Sequence, residues 1–303
     1  MYDSRRSFFL TVAMVAIASI LSTLPSLTSA QPHYSDWSLP VNLGPVINTA
    51  APEAGPHLSK DRRSLYFYSV RTGPGGSDIW VAERENVDEE FWGTPYPVAP
   101  LNTTGVETSM SLSRDGHWLF FTRGGLGNRD IWMSYREHVH DNLAWQPPVP
   151  VGAGINTTTS DEMDPSFLEN EDGAAPQLFF ARGNDIYASS LLPDGTWGPA
   201  IPVSSLNGVD MDRGISVRFD GLEAFFFSNR GSTSADLWSA TRNSVLDPWS
   251  ELTKLILLSS SVADGEPDIS PDRETLYFNS NRTGPGTFGG LDLYVSYRTK
   301  GKP

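Results

Sequence analysis

One phrase is written several times along this chain. It reads "SPDRETLYFNSNR" at residues 270–282, "SKDRRSLYFYSVR" at residues 59–71 and "SRDGHWLFFTR" at residues 113–123. A tryptophan recurs in step with the phrase, at intervals of 52 to 55 residues, and so does an Asp-apolar-aromatic triplet. The tryptophans are Trp37, Trp92, Trp145, Trp197 and Trp249, and the triplets begin at Asp78, Asp130, Asp185, Asp236 and Asp292. Self-similarity at a fixed period is the signature of a repeat architecture.

Each copy contains short alternating strands bounded by Gly and Asp turns, and no helical periodicity interrupts them, so the fold class is all-β. Four strands in a unit of about 50 residues are typical of a propeller blade. We therefore predict a single five-bladed β-propeller of four-stranded antiparallel blades. In blade 1 the strands A to D are expected at 55–59, 64–70, 78–83 and 92–98. The A to C regions of the blades are expected near 53–84, 107–136, 162–190, 212–242 and 264–298.

The phase of the repeat predicts how the ring closes. The last copy supplies strands A, B and C and then the chain ends, whereas "WSLPVNL" at 37–43 is a D strand without a blade. We expect this N-terminal strand to complete the last blade. Closure removes the exposed strand edges that an open array would present, and we expect a monomer.

The repeat also resembles a known family. "SPDRETLYFNSNR" followed by "DLYVS" is similar to the TolB-like, WD40-like β-propeller repeat, and the likeness covers residues 37–298. The resemblance implies the propeller fold. It says little about function, because that family spans scaffolding proteins, cell-envelope components and domains attached to enzymes.

The first 30 residues are predicted to be a signal peptide. Arg5 and Arg6 precede an apolar run at 8–21, and small residues end the segment at Ala30. "SRRSFFL" resembles a twin-arginine export signal, with an ordinary secretory signal or an uncleaved anchor as alternatives. We expect residues 31–303 to be the mature propeller, periplasmic or secreted and without a membrane span.

Composition excludes several classes of function. The net charge of −14 argues against nucleic acid as a partner, because no Lys/Arg stripe is available for phosphates. The chain contains no cysteine, which excludes disulfides, thiolate catalysis and Cys-zinc sites.

Aligned copies place one acid before each A strand and one arginine at the end of each B strand. The acids are Glu53, Glu107, Glu162, Asp212 and Asp264, and the arginines are Arg71, Arg123, Arg182, Arg230 and Arg282. Since A and B are antiparallel neighbours, each acid should lie near its own arginine and fasten the blade. The alternative is a ligand-binding mouth formed by the acids and His57, where unpaired carboxylates would attract a cation such as calcium. No other cofactor is expected, and the sequence does not assign a metal.

Positions at which the copies differ are the better candidates for function. Asp164, Glu266 and Asp268 lack the repeat's arginine partner and are the carboxylates that a glycoside hydrolase would use.

We nevertheless expect a non-catalytic binding or scaffolding protein that engages a cell-envelope protein or polysaccharide at the acidic mouth. Nearly equal copy lengths leave no room for an elaborate active site. A lectin-like module with one weak site per blade is a second binding variant. A sialidase is disfavoured because the sequence shows no arginine cluster outside the repeat.

Overall fold

The computed structural model describes residues 34–89, 91–125, 127–169 and 174–301. These residues form twenty strands arranged in five four-stranded antiparallel sheets, and this confirms the predicted five-bladed propeller. The proposed signal peptide lies outside the described residues. Within them, no helix is long and apolar enough to cross a membrane.

Every blade uses its four strands in the same order, from the central channel to the rim. The A strands are β2 (Glu53–Leu58), β6 (Glu107–Leu112), β10 (Glu162–Leu168), β14 (Asp212–Val217) and β18 (Asp264–Ile269). The B strands are β3 (Ser64–Ser69), β7 (Trp118–Arg123), β11 (Gln177–Arg182), β15 (Glu223–Ser228) and β19 (Thr275–Ser280). The C strands are β4 (Asp78–Glu83), β8 (Asp130–Tyr135), β12 (Asp185–Ser190), β16 (Asp236–Thr241) and β20 (Asp292–Tyr297). The D strands are β5 (Tyr96–Pro97), β9 (Val149–Pro150), β13 (Ile201–Pro202), β17 (Ser250–Lys254) and, for the last blade, β1 (Val41–Asn42).

The ring closes as the repeat phase predicts. Strand β1 pairs antiparallel with β20, with Val41 opposite Val295. The backbone N–H of Ser38 extends the contact by donating to the carbonyl of Tyr297 at 2.7 Å. Main-chain hydrogen bonds therefore hold the N-terminal strand in the last blade.

The D strands are shorter than the sequence predicts. We expected 37–43 and 92–98, whereas β1 and β5 each contain two residues. Proline has no N–H to give to a ladder and is confined to the edge of a sheet. Pro97, Pro150 and Pro202 end three of these strands. Strand β17 contains no proline and extends over five residues.

The core lies between the blades. Five buried clusters each combine side chains from two neighbouring blades. Adjacent residues of a B strand point to opposite faces, so Tyr66 packs toward blade 2 and Phe67 toward blade 5. Burial on both faces explains why the B strands read as unbroken apolar runs. The recurring tryptophans lie in these clusters as well; Trp92 packs between blades 5 and 1.

A β-bulge interrupts every A–B pairing shortly after the A strand begins. A bulge leaves one residue unpaired and redirects its side chain. In all five blades the third residue of the A strand has a positive φ. This residue faces the central channel, and its identity differs from blade to blade.

Candidate functional site

The structure places each of the five repeat acids against its own arginine. In four pairs the oxygen–nitrogen distance is 2.6 to 3.0 Å, and Arg230 contacts Asp212 in the same way. The loop before each A strand donates to the same carboxylate; for example, the Thr157 N–H and hydroxyl donate to Glu162 at 2.9 and 2.8 Å. All five carboxylates are fully buried. They lie behind the channel wall, so the carboxylates that line the channel are other residues.

The same arginines also explain why aromatic residues recur in the B strands and in the Asp-apolar-aromatic triplets. Arg182 lies between the rings of Phe180 and Tyr187, with its guanidinium carbon 5.5 and 4.7 Å from their centroids. Its Nη2 donates to the Ile155 carbonyl at 2.7 Å. The other four blades repeat this arrangement. The aromatic residue of each Asp-apolar-aromatic triplet is therefore one side of a cation–π clamp.

The fifth residues of the A strands form a closed hydrogen-bonded ring around the channel. Each side chain accepts from the backbone N–H of the following blade. Ser111 accepts from Phe167 at 3.0 Å, for example, and Asp268 accepts from Leu58 at 2.9 Å across the closure. The ring consists of His57, Ser111, Ser166, Ser216 and Asp268. His57 and Asp268 are thus both engaged in holding neighbouring blades together.

The third residues of the A strands form the neck of the channel. They are Gly55, Ser109, Asp164, Gly214 and Glu266, with φ between 30° and 58°. Glycine adopts this conformation freely, whereas other residues are strained by about 1–2 kcal/mol each. The approach is also close: a Cβ on Gly214 would lie 2.3 Å from the ring of Phe227. Three blades therefore carry a polar side chain where the backbone favours glycine, and strain of this kind clusters at functional sites.

Glu266 reaches across the neck to blades 1 and 2. The hydroxyl of Ser109 donates to its Oε1 at 2.8 Å, and the phenol of Tyr68 donates to Oε2 at 3.0 Å. With its nitrogen turned toward Glu266, the amide of Asn279 donates to Oε2 at 2.8 Å. Burial, together with the neighbouring Asp164 carboxylate, raises the pKa of Glu266 to about 7. The side chain keeps partial exposure to the channel.

Asp164 is the second carboxylate of the neck and is 9% exposed. Burial raises the pKa of Asp164, whereas the neighbouring Ser109 hydroxyl and the positive charges of Arg213 and Arg129 oppose that rise. Two carboxyl groups that share one hydroxyl partner in a buried neck titrate as a pair. Because Glu266 lacks the arginines' support, the shared proton resides preferentially on Glu266.

This arrangement contains the elements of acid–base chemistry. A protonated carboxyl group with a pKa near 7 can donate a proton at neutral pH, and a second carboxylate beside it can accept one. The neck encloses about 40 Å³, which holds a few water molecules and excludes a sugar ring. A larger substrate would therefore lie over the mouth and reach the carboxyl groups from outside.

The site includes residues that the sequence analysis missed. Tyr68, Ser109 and Asn279 hold Glu266, and none of them was singled out in the sequence. The signal was present in the aligned A strands, whose third residue reads Gly, Ser, Asp, Gly, Glu. Among the described residues, no group of three or more His, Asp or Glu side chains is arranged to hold a metal ion. Calcium binding stays a prediction.

The fold and site together define a five-bladed propeller with a carboxyl pair at the neck of its channel. No protein-family model matches the chain, and a search of the curated proteins finds no relative. Solved structures do match. The catalytic domain of a GH62 α-L-arabinofuranosidase from Coprinopsis cinerea is 13% identical, with a TM-score of 0.61 over 89% of this chain and 98% of that one.

Two further solved structures are similar over most of both chains. The arabinofuranosidase PaAbf62A from Podospora anserina, in complex with cellotriose, is 12% identical, with a TM-score of 0.57 over 88% of this chain and 98% of its own. The arabinanase Arb43A from Bacillus subtilis is 14% identical, with a TM-score of 0.56 over 84% and 96%. At these identities the likeness shows the shared propeller fold.

The comparisons correct one expectation from the sequence. Five of the similar solved structures are named as glycoside hydrolases, arabinofuranosidases or an arabinanase. The prediction of a non-catalytic binding or scaffolding protein is therefore contradicted, and the glycoside hydrolase alternative is the better supported reading. A TolB from Acinetobacter baumannii also matches, but its TM-score of 0.48 is too low to support the family resemblance.

Proposed function

We propose that this protein is an exported glycoside hydrolase that cleaves a polysaccharide at the mouth of its channel. The observation that carries the proposal is the pair Asp164 and Glu266. Both residues have a positive φ at the third position of the A strand, where two other blades have glycine, and both line the neck. Strained, buried carboxyl groups destabilise a fold, so their presence calls for a functional reason. The names of the similar solved structures point to the same chemistry.

In the proposed mechanism Glu266 is the general acid. It gives its proton to the glycosidic oxygen as the bond from that oxygen to the anomeric carbon breaks. A water molecule attacks the anomeric carbon, and Asp164 accepts the proton that this water loses. Tyr68 and Ser109 position Glu266, since both donate to its carboxyl group.

The proposal is tested with purified protein that spans residues 31–303. This protein is incubated with a panel of arabinans, xylans and uronate-containing glycans, and the released sugars are separated by chromatography. We expect Glu266→Gln and Asp164→Asn to lower the rate at least about 100-fold, because each removes one proton-transfer partner. Glu85→Gln, on an exposed loop of blade 1, is the control and should leave the rate unchanged.

The pH dependence sharpens this test. The value of kcat/KM should fall as pH rises above about 7, where Glu266 loses its proton. No release from any glycan, or variants as active as the parent protein, would refute the proposal. A kcat/KM that does not fall above about pH 7 would overturn the role given to Glu266.

Two coarser features accompany the proposal. A periplasmic or secreted location fits the predicted signal peptide and a polysaccharide substrate. The TolB-like resemblance of the repeat is compatible with it, since that family includes domains attached to enzymes.

A further inference from the structure

Two arginines outside the repeat meet beside the neck. Arg129 ends the loop between β7 and β8 of blade 2, and Arg213 is the second residue of β14 in blade 4. Their Nη1 atoms lie 3.5 and 3.6 Å from the sulfur of Met163 in blade 3. The fold thus assembles an arginine pair, Arg129 with Arg213, that the sequence analysis did not find.

The pair lacks the paired carboxylates that the repeat arginines have. No carboxylate of the described residues lies within 4.0 Å of either guanidinium. Their contacts are neutral: the Met163 thioether for both, and the Asn184 amide oxygen, which accepts from Arg213 Nη2 at 2.7 Å. Both Nε atoms are buried without a hydrogen-bond partner in the part of the chain that is described. By contrast, each repeat arginine contacts its own carboxylate.

Asp161 and Asp164 are the acidic groups beside the pair, and Asp161 is already engaged. Its two carboxylate oxygens accept from the backbone N–H groups of Gly127 and Arg129, at 2.9 and 3.0 Å. Those bonds, with the charges of Arg129 and Arg213, outweigh burial and keep the pKa of Asp161 below its usual range. Asp161 thus directs its oxygens to the backbone and forms no ion pair within 4.0 Å with either guanidinium.

The spacing of the pair suits a carboxylate. Because both Nη1 atoms contact one sulfur, they are at most about 7 Å apart, a separation at which two half-buried like charges repel. One carboxylate can accept a charge-assisted hydrogen bond from each of two guanidiniums that lie within this limit. Both arginines also act on Asp164, which places the pair next to the proposed catalytic carboxyl groups.

We propose that Arg129 and Arg213 bind the carboxylate of an acidic sugar, so that the substrate is an anionic glycan. This inference rests on the proposed function for the class of ligand. The sugar carboxylate lies over Met163 between the two guanidiniums, and its glycosidic bond then points toward Asp164 and Glu266. Neutral arabinans and xylans lack the group that the pair recognises and bind more weakly.

The experiment measures binding separately from hydrolysis. Calorimetry uses the Glu266→Gln protein in EDTA, so that cleavage and calcium bridging do not contribute. The probes are hexuronate oligosaccharides, a sialic acid glycoside, a sulfated oligosaccharide and a neutral xylo-oligosaccharide of matched length. We expect a carboxylate sugar to bind at least about tenfold more tightly than the neutral one, with an affinity that falls as salt is raised. Whichever carboxylate sugar binds more tightly identifies the source.

Variants assign the binding to the pair. Arg129→Gln and Arg213→Gln should each weaken uronate or sialate binding about 10- to 100-fold, as expected for loss of one charged hydrogen-bond donor. The control is Lys60→Gln with Arg63→Gln, which removes two exposed positive charges from the turn between β2 and β3 at the opposite end of the channel. This double variant should bind as the parent does.

The outcomes separate this inference from the proposed function. Carboxylate binding lost in the arginine variants supports the inference, even if the unmodified protein cleaves nothing. Cleavage of a neutral glycan with kinetics unchanged by Arg129→Gln and Arg213→Gln overturns the inference and leaves the hydrolase standing. Tighter binding of the sulfated probe than of either carboxylate sugar also overturns it.

Discussion

The Nδ1 atom of His57 lies 2.9 Å from Oδ1 of Asp268, which joins the first blade to the fifth. The Nε2 atom of the same ring accepts from the backbone N–H of Leu112 in the second blade. An imidazole that accepts through Nε2 and donates through Nδ1 is neutral. A single side chain therefore links three blades, at the point where the N-terminal strand closes the ring.

Asp268→Asn should test whether this carboxylate is structural. Asp268 accepts from Leu58 N–H and His57, and an amide nitrogen would face one of these donors. We expect a loss of about 1–3 kcal/mol in the free energy of unfolding, measured by urea denaturation. Glycan hydrolysis by the folded variant should remain near the parent rate. A stable but inactive Asp268→Asn protein would instead assign the residue to catalysis.

Removing the arginine of an acid–arginine pair should destabilise the fold, because a carboxylate then stays buried without its cation. Arg182→Met leaves the Glu162 carboxylate buried without its cation, and we expect a loss of about 3–5 kcal/mol in stability. Glu162→Gln in the same chain should restore part of it, because the unpaired charge is removed. Asp88→Asn is the control: Asp88 is 85% exposed, 3.7 Å from Arg62, and its change should stay within about 0.5 kcal/mol. Equal losses for Arg182→Met and Asp88→Asn would contradict the fastener role.

The neck glycine Gly214 should not tolerate a Cβ, whereas Gly231, which lies outside the neck, serves as its control. Gly214 and Gly231 both have positive φ, 57° and 68°, so alanine at either costs about 1–2 kcal/mol in backbone strain. At Gly214 the new Cβ would also meet Phe227 at 2.3 Å, whereas nothing lies within 4 Å of it at Gly231. Gly214→Ala should therefore lower the melting temperature clearly more than Gly231→Ala. Equal shifts would mean that the neck can expand.

The raised pKa of Glu266 predicts that the stability of the folded protein depends on pH. Its pKa is raised from the ordinary 4.5 to about 7 in the folded protein, so the folded state binds more protons than the unfolded state between these values. This contribution is fully present below about pH 4.5 and is lost as pH rises through 7. Glu266→Gln removes the penalty of burying the charge. The variant should melt at a higher temperature than the parent at pH 8, with a smaller difference at pH 5.

Calorimetric scans of both proteins at pH 5, 6, 7 and 8 give the comparison, and Glu85→Gln controls for the loss of one acidic charge. A difference in melting temperature that does not change with pH would show that Glu266 titrates normally.

The sequence by itself determined the architecture, because each copy must bury the same faces. The aromatic B strands are buried on both sides, and the phase of the tryptophans required the N-terminal strand to complete the last blade. Local periodicity carries such information directly, since the core of each blade packs only against its neighbours. The acid and the arginine of each blade were predictable for the same reason: strand pairing within one blade brings them together.

Only the tertiary structure decided which groups meet across the channel. Glu266 reaches Tyr68 in the first blade and Ser109 in the second, and Arg129 meets Arg213 over Met163. These partners lie in different blades, far apart in the chain, and no spacing in the sequence relates them. Their proximity follows from the closed ring, and the positive φ that turns Asp164 and Glu266 into the neck follows from the bulge in each A strand.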